Sequence, residues 1–491
     1  MNARNVLVAL ALLPLALVAR AHPVSTAPQG VPGTGDPPWL VRYDVAAEGP
    51  PEDDCAASVK SESPGVEKPP TPPVESPPGP ETAGMLQVDA TPNAPNAQLP
   101  DEIRTKLGFG APFDVKTIPL EPLRGRPADL AKVRAVLDKA ARRDGLTRLS
   151  FWGASHVAGE WFTGEVRRIL QDRYGDGGHG FVMPAAPWKG YRGTDINLCT
   201  GGTWTSDYHN RQGGRDDGWF GPGGISVEAM APTSYGWVQT TKSNPHGRVA
   251  SSYTLLFLRQ PTGGAVDVHI DSADPVRVAT RGDTGPGAAR FSVPPGPHRF
   301  AVSPAGDGPV RLFGAWMEAP GPGVVVDAMG VTGRTASSWL SWDADMQAAY
   351  LSVRPVDLAV LAYGTNEAND RTLTEEEYRA SLRKVLARMR KVLPDAACVL
   401  IGPSDRARKI SGSTYAIWSR TEWIARVQQE EGPAYNCATW DLQAVTGGPG
   451  SMVRWHGAEP KLAADDGIHF SAAGYQEIAT RFVAALDQLG K

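Results

Sequence analysis

The hydrophobic positions of this 491-residue chain change their period repeatedly. In PADLAKVRAVLDKAARRDG the residues Leu130, Val133, Val136 and Leu137 share one face at helical spacing, which predicts an amphipathic helix. The apolar run TRLSFWG after it predicts a strand. Helical spacing then returns in GEVRRILQDRYGDG through Val166, Ile169 and Leu170, with a stop at Gly175 and Gly177. From about 185 to 320 the pattern becomes short alternating runs, SYTLLFLRQ, AVDVHID and HRFAVSP, broken by Pro and Gly, and predicts an all-β module, a sandwich. Beyond 320 the runs VVVDAMG, VDLAVLAYG, ACVLIGP and CATWDL suit strands buried on both faces. Between them TEEEYRASLRKVLARMRKVLP predicts a helix, with a capping box from Thr374 to Glu377, an apolar face through Tyr378, Leu382, Val385 and Met389, and Pro394 after its end. Strands alternating with helices imply a parallel sheet covered on both sides, so the β module interrupts an α/β domain between its first and second strands.

The first hundred residues read differently. Residues 1–21 carry Arg4, a short apolar core from Val6 to Val18 and a small-x-small site at Ala19-Arg20-Ala21, the pattern of a secretory signal peptide. That core is shorter than the roughly 18 residues a membrane span needs, and no later run is long and apolar enough. Residues 22–104 are so rich in Pro, Gly, Ser and Glu that burial cannot offset the entropy of ordering them, which predicts a disordered linker, a tether or spacer through a cell envelope. The ordered part then divides into 105–184, the β insert 185–320, and 321–491. Export to a periplasmic or extracellular compartment permits disulfides. Cys398 and Cys437 lie in strand-like runs and pair if those strands are neighbours, or stay buried thiols if they are not; Cys55, in the flexible tail, and Cys199 are a second candidate pair. A net charge of -4 with interspersed signs gives no basic field for nucleic acid.

Candidate chemistry sits where open α/β sheets keep it, beyond the carboxyl ends of strands. Gly153-Ala154-Ser155 is a strand-to-helix turn that can lift a hydroxyl above the sheet beside helix N-terminal N–H groups. The next strand ends in Gly330-Val331-Thr332-Gly333-Arg334-Thr335, whose small residues let backbone N–H groups approach a ligand, and the third in Tyr363-Gly364-Thr365-Asn366-Glu367. In AADDGIHFSAAGYQEIA, Asp466 and His469 stand three apart, so a carboxylate can hold Nδ1–H while Nε2 faces outward as a base. Each block alone is ordinary: Ser155 as a helix cap, Asn366 as a turn residue.

In this order the four blocks resemble the SGNH family, the GDSL-type esterases. The likeness covers about 250 residues in two pieces flanking the insert. It implies a flavodoxin-like three-layer α/β sandwich, with Ser155 as nucleophile, His469 as base and Asp466 as its orienting partner. It also implies an oxyanion hole from the N–H groups of Ser155 and Gly333 and the amide of Asn366. Ala154 departs from the family's Gly-Asp-Ser. GASHVAGEWFTGEVRRILQDRYGDGGHGFV with YGTNE and DGIHFSAAGY looks like the exported subgroup with an inserted, carbohydrate-binding-like β-sandwich, among them peptidoglycan O-acetylesterases. The implied activity is removal of O-acetyl groups from a polysaccharide through an acyl-enzyme, with no metal or organic cofactor. His156, Arg406 and Trp455 are the further candidates for substrate contact. Trp204, Trp219, Trp237 and Tyr235 of the insert either stack on sugar or pack its core. The rival readings are a non-catalytic glycan-binding envelope protein, an O-acetyltransferase and a lipase.

Overall fold

The computed structural model describes residues 35–51, 55, 86–89, 114–208, 215–411 and 414–490; the predicted signal peptide lies outside them. The central sheet has five strands in the order Gly323–Gly330, Leu146–Gly153, Leu358–Ala362, Ala397–Ile401, Ala438–Trp440. All neighbours are parallel, and in chain order the arrangement is second, first, third, fourth, fifth, a doubly wound sheet. Alternation along each strand feeds two helix layers. Leu358 and Val360 join a core with Val133, Val166 and Phe482, from the helices Pro127–Ala141, Trp161–Tyr174 and Ala472–Gln488. Ala359 and Leu361 face the opposite core, with Met346, Leu382, Val385 and Val427 from Ala344–Ser352, Glu375–Val392 and Arg420–Glu431. The Thr374–Glu377 capping box is present as the spacing predicts.

The all-β module, a seven-stranded and a five-stranded sheet, occupies the connection between the strands Leu146–Gly153 and Gly323–Gly330, apart from one strand contributed by Leu40–Asp44. Its core is continuous with the second helix layer: Tyr350 of the helix Ala344–Ser352 meets Phe313 of the sandwich edge to face at 5.9 Å. Two expected boundaries are corrected. Gly180–Val182 already pairs with Val310–Glu318, so the sandwich starts before residue 185. The Pro-rich segment is not wholly a linker. Its Leu40–Asp44 pairs in parallel with Gly285–Gly296, burying Leu40 and stacking Tyr43 on Phe291 at 5.2 Å. Leu86–Asp89 pairs with Thr414–Ile417. A five-residue strand added to an existing sheet edge needs little apolar surface of its own, because the sheet supplies the hydrogen-bond partners. Composition averaged over eighty residues conceals such a strand.

Both cysteine pairs are joined, Cys55 to Cys199 and Cys398 to Cys437. The second pair follows from adjacent strands, since Val399 is in register with Ala438. The first fastens the amino-terminal segment to the insert.

Candidate functional site

Register brings three loops to one point. Gly153 ends its strand opposite Gly330 on one side and Ala362 on the other, so the turns after all three strands lie side by side. A Cβ on Gly153 would stand 2.5 Å from Val157 and 2.8 Å from the carbonyl of Ala362, so the sharp entry into the helical turn Ser155–Ala158 requires glycine. Ser155 is the first residue of that turn and has no carbonyl within it to accept its N–H.

From 314 residues away His469 presents Nε2 to Ser155 Oγ at 2.7 Å. Its Nδ1 lies 2.6 Å from Asp466 Oδ2, so Nδ1–H donates to the carboxylate and Nε2 is free to accept the seryl O–H. Asp466 Oδ1 accepts the N–H groups of Ile468 and His469, both at 2.9 Å. Burial alone would raise the Asp466 pKa, yet the hydrogen bond and charge of His469 and the two backbone donors hold it well below the usual carboxylate range. The loop is fixed from outside by Ala407 N–H, which donates to Gly467 O at 2.9 Å. Gly467 has φ +66, and a Cβ there would run into the Ala407 carbonyl.

Gly333, at φ +79, is exposed with open space beside it. The Asn366 amide donates to Arg334 O at 2.7 Å, which orients it and leaves its second N–H to point elsewhere. Glu367, unremarked in the sequence beyond its place in YGTNE, is a strut: its carboxylate accepts Ala336 N–H at 2.8 Å and Gly364 N–H at 3.0 Å, tying the second and third loops together. Burial pushes its carboxyl pKa up. Asn366→Ala is expected to lower turnover of an aryl acetate about a hundredfold to a thousandfold with the fold intact, checked by initial rates beside a circular-dichroism melt.

Two expected contact residues are elsewhere. Trp455 is fully buried, donates Nε1–H to Thr446 O at 2.9 Å and packs on Phe470, so it belongs to the core and not to a rim. The tryptophan fell outside any readable helical period because the helix Ser451–His456 has only six residues. His156 turns inward: Nδ1 meets the Tyr475 hydroxyl at 2.9 Å and the ring lies 5.3 Å from that of His469. Burial, with the charge of His469, pushes its pKa down to about 3, so it backs the base as a neutral ring. Arg406 does stand by the site, stacked 4.5 Å over Trp418, bonded to Asn369 and close enough to feel Asp466; burial lowers its pKa to about 10. In the insert Trp237 is core, under the Arg299 guanidinium at 4.3 Å, whereas Tyr235 is exposed. Trp204 and Trp219 are half-buried.

Among the described residues one grouping has metal-ligand character, the buried Glu160, His179 and Asp195. Arg167 already closes on it, donating to Glu160 at 2.8 Å and Asp195 at 2.9 Å, so its carboxylates are neutralised from within the chain. The cluster joins the helix Trp161–Tyr174 to the start of the insert.

Residues 296–477 match the sequence model of the GDSL-like lipase/acylhydrolase family, a span holding Gly333, Asn366, Asp466 and His469 but not Ser155. No curated protein sequence matches the chain. A solved structure of a peptidoglycan O-acetylesterase is 24% identical, aligns over 75% of this chain and 98% of its own, and superposes with a TM-score of 0.63; it shares the fold. Family two carbohydrate esterases from Cellvibrio japonicus and Clostridium thermocellum are 12% and 11% identical over 60% and 54% of this chain, and 98% and 95% of theirs. Their TM-scores are 0.24.

Proposed function

We propose, from the match of residues 296–477 to the GDSL-like lipase/acylhydrolase family and the fold shared with an esterase, that the chain is an exported serine esterase removing O-acetyl groups from peptidoglycan. The single observation that carries the catalytic part is the continuous chain of contacts from Ser155 Oγ through His469 to Asp466. His469 takes the seryl proton as Oγ attacks the ester carbonyl. The N–H groups of Ser155 and Gly333 and the Asn366 amide hold the oxyanion, and His469 passes its proton to the departing sugar oxygen. Water then attacks the acyl-enzyme with His469 again as base, releasing acetate and restoring Ser155.

The likeness in fold to a peptidoglycan O-acetylesterase supports the substrate. The leader-like residues 1–21 and the two disulfides support export to an oxidising, cell-envelope compartment. The half-buried and exposed aromatic residues of the insert, Trp204, Trp219 and Tyr235, are available for sugar faces. Acetate release from O-acetylated peptidoglycan, acetylated xylan and an aryl acetate, with Ser155→Ala as blank, tests the reading. Peptidoglycan is expected to be the preferred polymer; a preference for xylan overturns the substrate, and no acetate from any of the three overturns the esterase.

A further inference from the structure

Six arginines are buried among the described residues, and five of them hydrogen-bond through their guanidinium groups. Arg167 pairs with Glu160 and Asp195, Arg311 with Asp217, and Arg354 with Glu318 and Asp327. Arg299 donates to Gln239, and Arg481 to Glu477 and backbone carbonyls. Arg334 is the exception. It is 2% exposed, yet Nε, Nη1 and Nη2 all lack a hydrogen-bond partner. A buried cation with no partner is costly, because desolvation is paid without a compensating contact.

Its place in the fold gives that cost a use. Arg334 follows Gly333 in the second strand-end loop, and its carbonyl is the group that orients the Asn366 amide. The guanidinium lies 5.7 Å from the ring of Tyr208, which the insert brings to the junction. Asp207, a carboxylate whose charge reaches it, forms no ion pair with it; one Asp207 oxygen accepts Arg215 N–H at 2.8 Å and the other is itself unpartnered. A planar guanidinium with all its donors unused matches a carboxylate in geometry and charge.

We infer that Arg334 is the seat of a carboxylate on the substrate, so that the esterase proposed above selects acyl sugars bearing an acid group near the ester. This rests on that esterase reading for its location, not for its test. In peptidoglycan the group is the lactyl carboxylate of muramic acid, free only on glycan from which the stem peptide has been removed; in other acidic glycans it is a uronate. Acetylxylan backbones offer none.

The test is binding, which needs no turnover. The full chain is titrated calorimetrically with N-acetylmuramic acid, glucuronic acid and neutral N-acetylglucosamine, as parent, Arg334→Met, Arg334→Lys and Arg406→Met. Charged hydrogen bonds of this kind are worth about 1.5–3 kcal/mol, so the parent is expected to prefer an acidic sugar by about tenfold or more. Arg334→Met is expected to abolish that preference, Arg334→Lys to keep part of it, and Arg406→Met to leave it. Preference for glucuronic acid over N-acetylmuramic acid supports the seat and assigns the uronate. Absence of any acid preference in the parent, or its loss in Arg406→Met instead, overturns the inference. Arg334→Met removes the unpartnered charge, so its thermal midpoint is expected at or above the parent's; a lower midpoint with the preference intact marks a structural residue and also overturns it. Acetate release by the parent reads the esterase separately, so failure of one is distinguishable from failure of the other.

Discussion

Purified Ser155→Ala is expected to hydrolyse an aryl acetate up to about a millionfold more slowly than the parent, while unfolding at an unchanged temperature. The size follows from how the site is built. The hydroxyl sits on a turn enforced by Gly153, in hydrogen-bond contact with a base that is itself held by a carboxylate. Such groups act as a unit, and removing the nucleophile disables the others; what remains is binding and the oxyanion donors. The side chain is small and only half-buried, so its loss leaves no cavity to destabilise the fold. Initial rates with the aryl ester, which needs no recognition of a polymer, check the expectation. A variant within tenfold of the parent removes Ser155 from the chemistry.

Asp466→Asn is expected to lower turnover about ten-thousandfold, with little effect on KM for the same ester. The carboxylate does two things here. Oδ2 fixes the proton of His469 on Nδ1, and Oδ1 is anchored by two backbone N–H groups. An amide can keep the anchors through its oxygen, but its NH2 then faces Nδ1 and favours the tautomer with the proton on Nε2. That nitrogen can no longer accept from Ser155. Because the Asp466 pKa is depressed, the carboxylate stays ionised through mildly acidic pH, so the acid limb of the parent's rate profile does not report Asp466. A rate within tenfold of the parent, or a defect confined to KM, refutes the orienting role.

How much of this was legible beforehand depended on the range of the signal. The parallel strands were readable because burial on both faces leaves an unbroken apolar run, as in Leu358–Ala362, which no surface element shows. Ser155, Asn366, Asp466 and His469 each lie at an ordinary element boundary, and it is the order of their four blocks, which resembles the SGNH family, that singles them out. Trp455 was misplaced because a large aromatic beside charged residues has no local feature that separates a rim from a core; only its Nε1–H bond to Thr446 does. His156 was misplaced for a related reason: Tyr475, which turns it inward, lies 319 residues away. Arg334 carried no sequence signal, since being unpartnered is a property of the whole environment.

The insert enters and leaves the α/β domain through adjacent segments. Gly177 N–H donates to Val324 O, Ala319 N–H donates to Gly177 O, and Gly180–Val182 pairs with the strand that leads back out. Once the sandwich has formed, its two ends are therefore neighbours, and the link from the first parallel strand to the second behaves as a short connection despite its length. The entropy of closing a long loop is met inside the insert, by its own core, and the nucleophile and base halves then meet at a high effective concentration.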